Sequence, residues 1–125
     1  MTRFKSSSVV ESISNAVRGL KLAISSQRNF VIEVIIAIIA FVSAIILGFT
    51  STDKCILLIM IAIVLVCEML NSVIEFTLDA VYKNSYSKLV EIAKDMSAGM
   101  VLLVAIISVV VGIFLYFPYI IKLFL

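Results

Sequence analysis

Four polar side chains close an apolar run. In CEMLNSVIEFTLDA, residues 67–80, Glu68, Asn71, Glu75 and Asp79 follow directly on ILLIMIAIVLV. At the helical repeat all four fall on one stripe about 80° wide. It is three turns long, roughly 16 Å at the helical rise. An acid at the centre of a bilayer costs about 2.5–3.5 kcal/mol on insertion scales, so three on one face must meet protein, water, a cation or one another. Glu68 lies deepest, where a poorly solvated carboxylate suits a general base. Glu75 and Asp79 lie toward the wet end. Carboxylates there, with an amide oxygen nearby, suit a hard divalent cation such as Mg2+.

A second group follows in AKDMSAG, where Lys94 and Asp95 stand at the mouth of another apolar run. A lysine can hold a phosphate as a point charge, and Asp95 could complete a nucleotide or metal contact. Blander readings stand beside these: Lys94 as an interfacial cation with its head in water, and Asp95 as an N-cap. The whole stripe could also pair with Lys94, Arg28 or Lys21 across a subunit interface and only hold an oligomer together. A third reading, proton-coupled transport, fits an isolated carboxylate better than a row of them.

What the chain lacks narrows the chemistry. It has no histidine, hence no imidazole base and no Ser-His or Cys-His pair. Four glycines form neither G-x-x-x-x-G-K nor G-x-G-x-x-G, so a nucleotide must be held by side chains and metal. Cys55 and Cys67 lie in or beside apolar runs and read as small buried hydrophobes. Nothing points to a nucleic-acid partner.

The elements that must position these residues are membrane spans. Of 125 residues 63% are hydrophobic and 14% charged, against a usual quarter charged in soluble domains. The mean hydropathy is +1.25. About 20 residues cross roughly 30 Å of hydrocarbon, and three runs meet that length: 29–49, broken only by Glu33, then 54–82, then 94–120, with Pro118 expected to loosen its end. GFTSTDK, 48–54, reads as a turn, and 83–93 as a polar loop whose end is expected to turn helical. Ahead of the spans, MTRFKSSS does not read as an apolar leader. S-x-x-E at Ser8–Glu11 reads as a capping box, opening a helix over 8–27. There Ile13, Val17, Leu20 and Ile24 recur at spacings of three and four, opposite Asn15, Arg18, Lys21 and Ser25; this predicts an amphipathic helix on the membrane surface. Cations cluster before the first span (Arg3, Lys5, Arg18, Lys21, Arg28) and in the second loop (Lys83, Lys88, Lys94). The positive-inside rule puts the N-terminus and that loop in the cytoplasm and the C-terminus outside. In the third span Ala98, Ala105, Ser108 and Gly112 fall on one side and suit close helix packing.

CEMLNSVIEFTLDAV followed by AKDMSAGMVLL resembles the prokaryotic diacylglycerol kinase family, which includes the undecaprenol kinases. The family pattern E-x-L-N-[ST]-x-I-E-x-x-x-D, then A-K-D, is met by Glu68, Leu70, Asn71, Ser72, Ile74, Glu75 and Asp79, then Ala93, Lys94 and Asp95. RGLKLA, residues 18–23, is similar to the family's surface-helix segment, and the resemblance runs from about residue 15 to 112.

It implies an all-α integral membrane fold. Residues 1–125 would form one kinase domain, with three transmembrane helices and an N-terminal surface helix assembled as a homotrimer in a bacterial inner membrane. The implied reaction moves the γ-phosphoryl of ATP, with Mg2+, onto the hydroxyl of a membrane lipid alcohol. By the resemblance Glu68 is the catalytic base and Glu75 a metal ligand. Asn71, Asp79, Lys94, Asp95 and Arg18 surround the nucleotide. Gln27 stands where the family usually has a second metal-binding Glu: it keeps an oxygen but loses the charge, and Glu33, six residues on, is about 240° around a continuous helix. RNF before the first span and the third-span sequence resemble the undecaprenol branch somewhat more than the diacylglycerol branch. A degenerate kinase that binds lipid without turnover is the non-enzymatic alternative.

Overall fold

The computed structural model describes residues 8–83, 85 and 87–125. Arg3 and Lys5, and part of the second loop, lie outside them. The described chain is all-helical: α1 Val9–Ser26, α2 Arg28–Leu47, α3 Ser51–Tyr82 and α4 Lys88–Phe124. The last three are long and apolar enough to cross a membrane.

Ser8 caps α1, its side chain accepting from the Glu11 N–H at 3.1 Å, as the S-x-x-E spacing predicts. Ile13, Val17, Leu20 and Ile24 of this helix are exposed. The helix stops at Gln27, whose backbone is extended (φ −111°, ψ 100°). That single residue ends α1 and caps α2, so the two helices do not share one continuous helical phase.

α2 ends at Gly48 in the left-handed conformation (φ 80°). The Phe49 N–H reaches back to the Ala44 carbonyl at 3.0 Å, a glycine-terminated helix end that satisfies orphan carbonyls. Thr50 then caps α3 through the Asp53 N–H. The turn is therefore tighter than the sequence predicts: α3 starts at Ser51, not 54, because Thr50 supplies a cap.

Antiparallel α4 packs along α3. It begins at Lys88, so the loop is shorter than 83–93, and residues 88–93 are the expected helical turns, continuous with the third span. Asp95 lies in the second turn of α4; the N-cap is Ser87. Pro118 does not break the helix, which continues to Phe124. Beside the proline, Tyr119 is anchored: its hydroxyl accepts from the Thr50 N–H at 3.0 Å and donates to Asp53 at 2.5 Å. Phe49 stacks on the Tyr119 ring at 4.3 Å and lies tilted against Tyr116 at 4.8 Å. With Ala44, Leu57 and Leu115 these rings make the hydrophobic core, and it sits at one end of the bundle.

The site lies toward the opposite end. At about 1.5 Å per residue, α3 and α4 are roughly 48 and 55 Å long, well beyond the hydrocarbon thickness of about 30 Å. The excess turns of both helices run side by side and carry the polar stripe.

Candidate active site

All three buried polar residues among the described residues cluster at this polar end: Glu68 at 4% exposure, Ser97 at 5% and Ser72 at 7%. Burying polar groups costs free energy unless they are hydrogen-bonded, and two of the three are. The Ser72 hydroxyl has one proton, shared between the side-chain oxygen of Gln27 at 3.1 Å and the Glu68 carbonyl at 3.2 Å. The Ser97 hydroxyl donates to the Asn71 side-chain oxygen at 2.7 Å. The Glu68 carboxylate has no hydrogen-bond partner among the described residues.

The stripe is fastened to its neighbours turn by turn. Lys94 of α4 pairs with Asp79 of α3 at 2.6 Å, both half-exposed. One turn deeper Ser97 holds Asn71, and deeper still Glu33 of α2 lies within electrostatic reach of Glu68. Glu75, exposed between these levels, is felt by both Glu68 and Lys94. Gln27 is brought against the stripe through Ser72. Arg18 and Asp95 are exposed, and among the described residues neither makes a hydrogen bond or ion pair with the stripe.

Glu33 is the functional candidate that helical-wheel reasoning discards. One carboxylate oxygen is buried with no hydrogen-bond partner among the described residues, and the side chain lines an apolar cleft of about 370 Å³ walled by Met60, Val64, Ala105, Ser108 and Gly112. The break at Gln27 resets the helical phase, so an angle counted across it says nothing about where Glu33 points. The signal in the sequence was its solitude, a single acid inside a 20-residue apolar run. Ser72 and Ser97 were also overlooked as site residues, since serine carries no charge to flag it.

No three carboxylate or thiolate side chains among the described residues converge closely enough to hold a cation by themselves. Mg2+ rarely needs that. It usually takes one or two carboxylates and completes its octahedron with water and substrate phosphates. Glu75 has a free carboxylate and fits that demand, with the Gln27 oxygen beside the stripe. Asp79 is already committed to Lys94.

Along α3 a buried acid, an amide and two exposed acids follow one another, the last paired with a lysine of α4. The protein-family model for prokaryotic diacylglycerol kinase matches residues 14–116. The chain belongs to the prokaryotic diacylglycerol kinase family. Within it the chain is similar to a diacylglycerol kinase of Synechocystis sp., 35% identical over 100 residues, 80% of this chain and 57% of that protein. It is also similar to the undecaprenol kinase of Bacillus subtilis, 27% identical over 108 residues, 86% of this chain and 87% of that protein. The chain thus spans little more than half the length of the first relative and most of the second. The two relatives carry different lipid names, and the stripe does not choose between them.

Proposed function

We propose that the chain is a lipid kinase that transfers the γ-phosphoryl group of ATP to the hydroxyl of a membrane lipid alcohol. The observation that carries this reading is Glu68: a carboxylate at 4% exposure without a hydrogen-bond partner among the described residues, set between the apolar cleft that holds Glu33 and the exposed turns that hold Glu75, Asp79 and Lys94. A lipid reaches such a carboxylate from the bilayer and a nucleotide reaches it from water.

The roles follow from depth. Glu68 accepts the proton of the lipid hydroxyl as its oxygen attacks the γ-phosphorus; the bond to the β-phosphate oxygen breaks and ADP leaves. Lys94 supplies a point charge for the phosphates, and Asp79 holds it in place until they arrive. Asn71 offers an amide, with Asp95 and Arg18 completing the nucleotide's surroundings at the exposed end. Mg2+, held by Glu75 with Gln27 in support, would neutralise the charge on the transferring group. Phosphoryl transfer asks mainly for such positioning and neutralisation. The cleft beside Glu33 takes the lipid chain.

The long exposed apolar faces of α2 and α4, among them Ile35, Ile39, Leu102 and Val109, are what lipid and further copies of the chain would cover; the reading includes a homotrimer. The apolar side of α1 lies on the membrane surface, and the cation distribution puts the N-terminus and the second loop in the cytoplasm of a bacterial inner membrane. A purely structural role for the acids is less well supported, because Lys94 and Asp79 satisfy each other within one chain.

The test is transfer of labelled phosphate from ATP to undecaprenol and to diacylglycerol by the purified chain. Labelled lipid phosphate from either alcohol is the expected result, and the ratio of the two rates assigns the substrate. Nucleotide hydrolysis or lipid binding with no lipid phosphate formed would leave a scaffold.

A further inference from the structure

Ser97 sits on α4 one turn deeper than Lys94 and on the same face, three residues on. A serine or threonine inside a helix ordinarily turns its hydroxyl back to the carbonyl three or four residues earlier. Ser43, Ser72, Thr77 and Ser108 do so here. Ser97 does not. Its one proton goes across to the next helix, to the Asn71 side-chain oxygen at 2.7 Å, in a pocket that leaves Ser97 only 5% exposed.

The direction of that bond has a consequence for Asn71. A carboxamide has an acceptor end and a donor end. With the oxygen engaged by Ser97, the NH2 group is the end left over, and among the described residues nothing accepts from it. An NH2 group cannot ligate a hard cation; it donates to anions. Lys94, one turn up, is also donor-only. The α3 stripe thus carries one amide donor among its acids, and Lys94 of α4 adds a second donor at the level of Asp79.

We propose that Ser97 is a positioning residue, fixing the Asn71 amide so that its NH2 group, and not its oxygen, meets a phosphoryl oxygen of the nucleotide. This rests on the kinase reading and divides the labour within it: Glu75 serves the cation, while Asn71 and Lys94 serve the phosphates. Asn71 is then no metal ligand, and the serine that orients it acts without touching the substrate.

The experiment measures binding of a nonhydrolysable ATP analogue with Mg2+ to the purified chain in detergent, alongside the KM for ATP and for lipid alcohol. Ser97→Ala removes the bond and frees the amide to rotate. It should weaken nucleotide binding about 5–10-fold, the worth of one hydrogen bond, with the lipid KM unchanged. Ser97→Thr, which keeps the hydroxyl, should restore affinity to within about threefold. Asn71→Asp keeps an oxygen at each end and removes the donors, so it should lose at least as much as Ser97→Ala. Two results overturn the inference: Ser97→Ala binding the analogue like the parent chain, whatever it does to thermal stability, or Asn71→Asp binding at least as tightly, which would turn the oxygen toward the cation. A parent chain that binds the nucleotide yet phosphorylates no lipid defeats the kinase reading alone. Lipid phosphorylation with Ser97→Ala indistinguishable from the parent defeats this inference alone.

Discussion

Gln27→Glu changes one nitrogen to oxygen at the break between α1 and α2. The Gln27 oxygen accepts from Ser72 at 3.1 Å, and its nitrogen donates to the Ser26 hydroxyl over a long 3.4 Å. A glutamate keeps the first bond. It reverses the second, asking the Ser26 hydroxyl to leave the Leu22 carbonyl it now serves at 2.5 Å, a trade worth about 1 kcal/mol at most. The larger effect is charge. Unit charges about 4 Å apart interact by about 4 kcal/mol at an effective dielectric of 20. Without a cation the new carboxylate adds a negative charge beside Ser72, about one turn along α3 from Glu68 and from Glu75, and is repelled. With Mg2+ present it is attracted, and water and the existing acids reduce the gain. A net tenfold fall in the Mg2+ needed for half-maximal phosphate transfer, about 1.4 kcal/mol, is the expected outcome. Thermal unfolding in detergent should move in opposite directions: lower for Gln27→Glu in EDTA, and recovered or raised in excess Mg2+. A Mg2+ midpoint that does not move would refute the reasoning and place the cation away from the α1–α2 break.

Glu33→Gln keeps the shape of the cleft and removes its charge. It should raise the KM for lipid alcohol several-fold and leave the KM for ATP unchanged, as steady-state kinetics with each substrate varied would show; a change confined to ATP would contradict the cleft's assignment to lipid. Asp79→Asn removes the partner that holds Lys94 in place and should raise the KM for ATP in the same steady-state measurement. Tyr119→Phe deletes two hydrogen bonds at the far end of the bundle. Thermal unfolding should register a loss of about 1–2 kcal/mol, and the KM values should not respond.

The three spans were legible because an apolar run of 20 or more residues has few alternatives in the chain. The stripe was legible because helical phase is regular within an unbroken helix, and α3 runs unbroken from Ser51 to Tyr82. Where the phase broke, the wheel had nothing to say: Gln27 adopts an extended backbone, so an angle counted from it does not locate Glu33, which lines the apolar cleft. Helix ends were the other weak point. Thr50 and Ser87 start α3 and α4 earlier than hydropathy suggests, because caps are set by single side chains while a hydropathy window averages over many. Pro118 reads as loosening the end of the third span, yet α4 continues through it to Phe124, with Tyr119 beside it bonded to Thr50 and Asp53. The cross-helix serine contacts could not be read at all, since a hydroxyl leaves no periodic mark and its choice between its own helix and the next depends on packing.

The central claim is that Glu68 acts as the base for a lipid hydroxyl. The most direct measurement is the rate of labelled phosphate transfer from ATP to the preferred lipid alcohol by Glu68→Gln, with oligomer mass in detergent followed on the same sample. The account predicts a rate lowered about 10²–10⁴-fold, the usual worth of general base catalysis, with oligomer mass and nucleotide affinity unchanged. A variant that turns over at the parent rate per folded molecule, with the assembly falling apart, would contradict it and return the buried acid to a structural role.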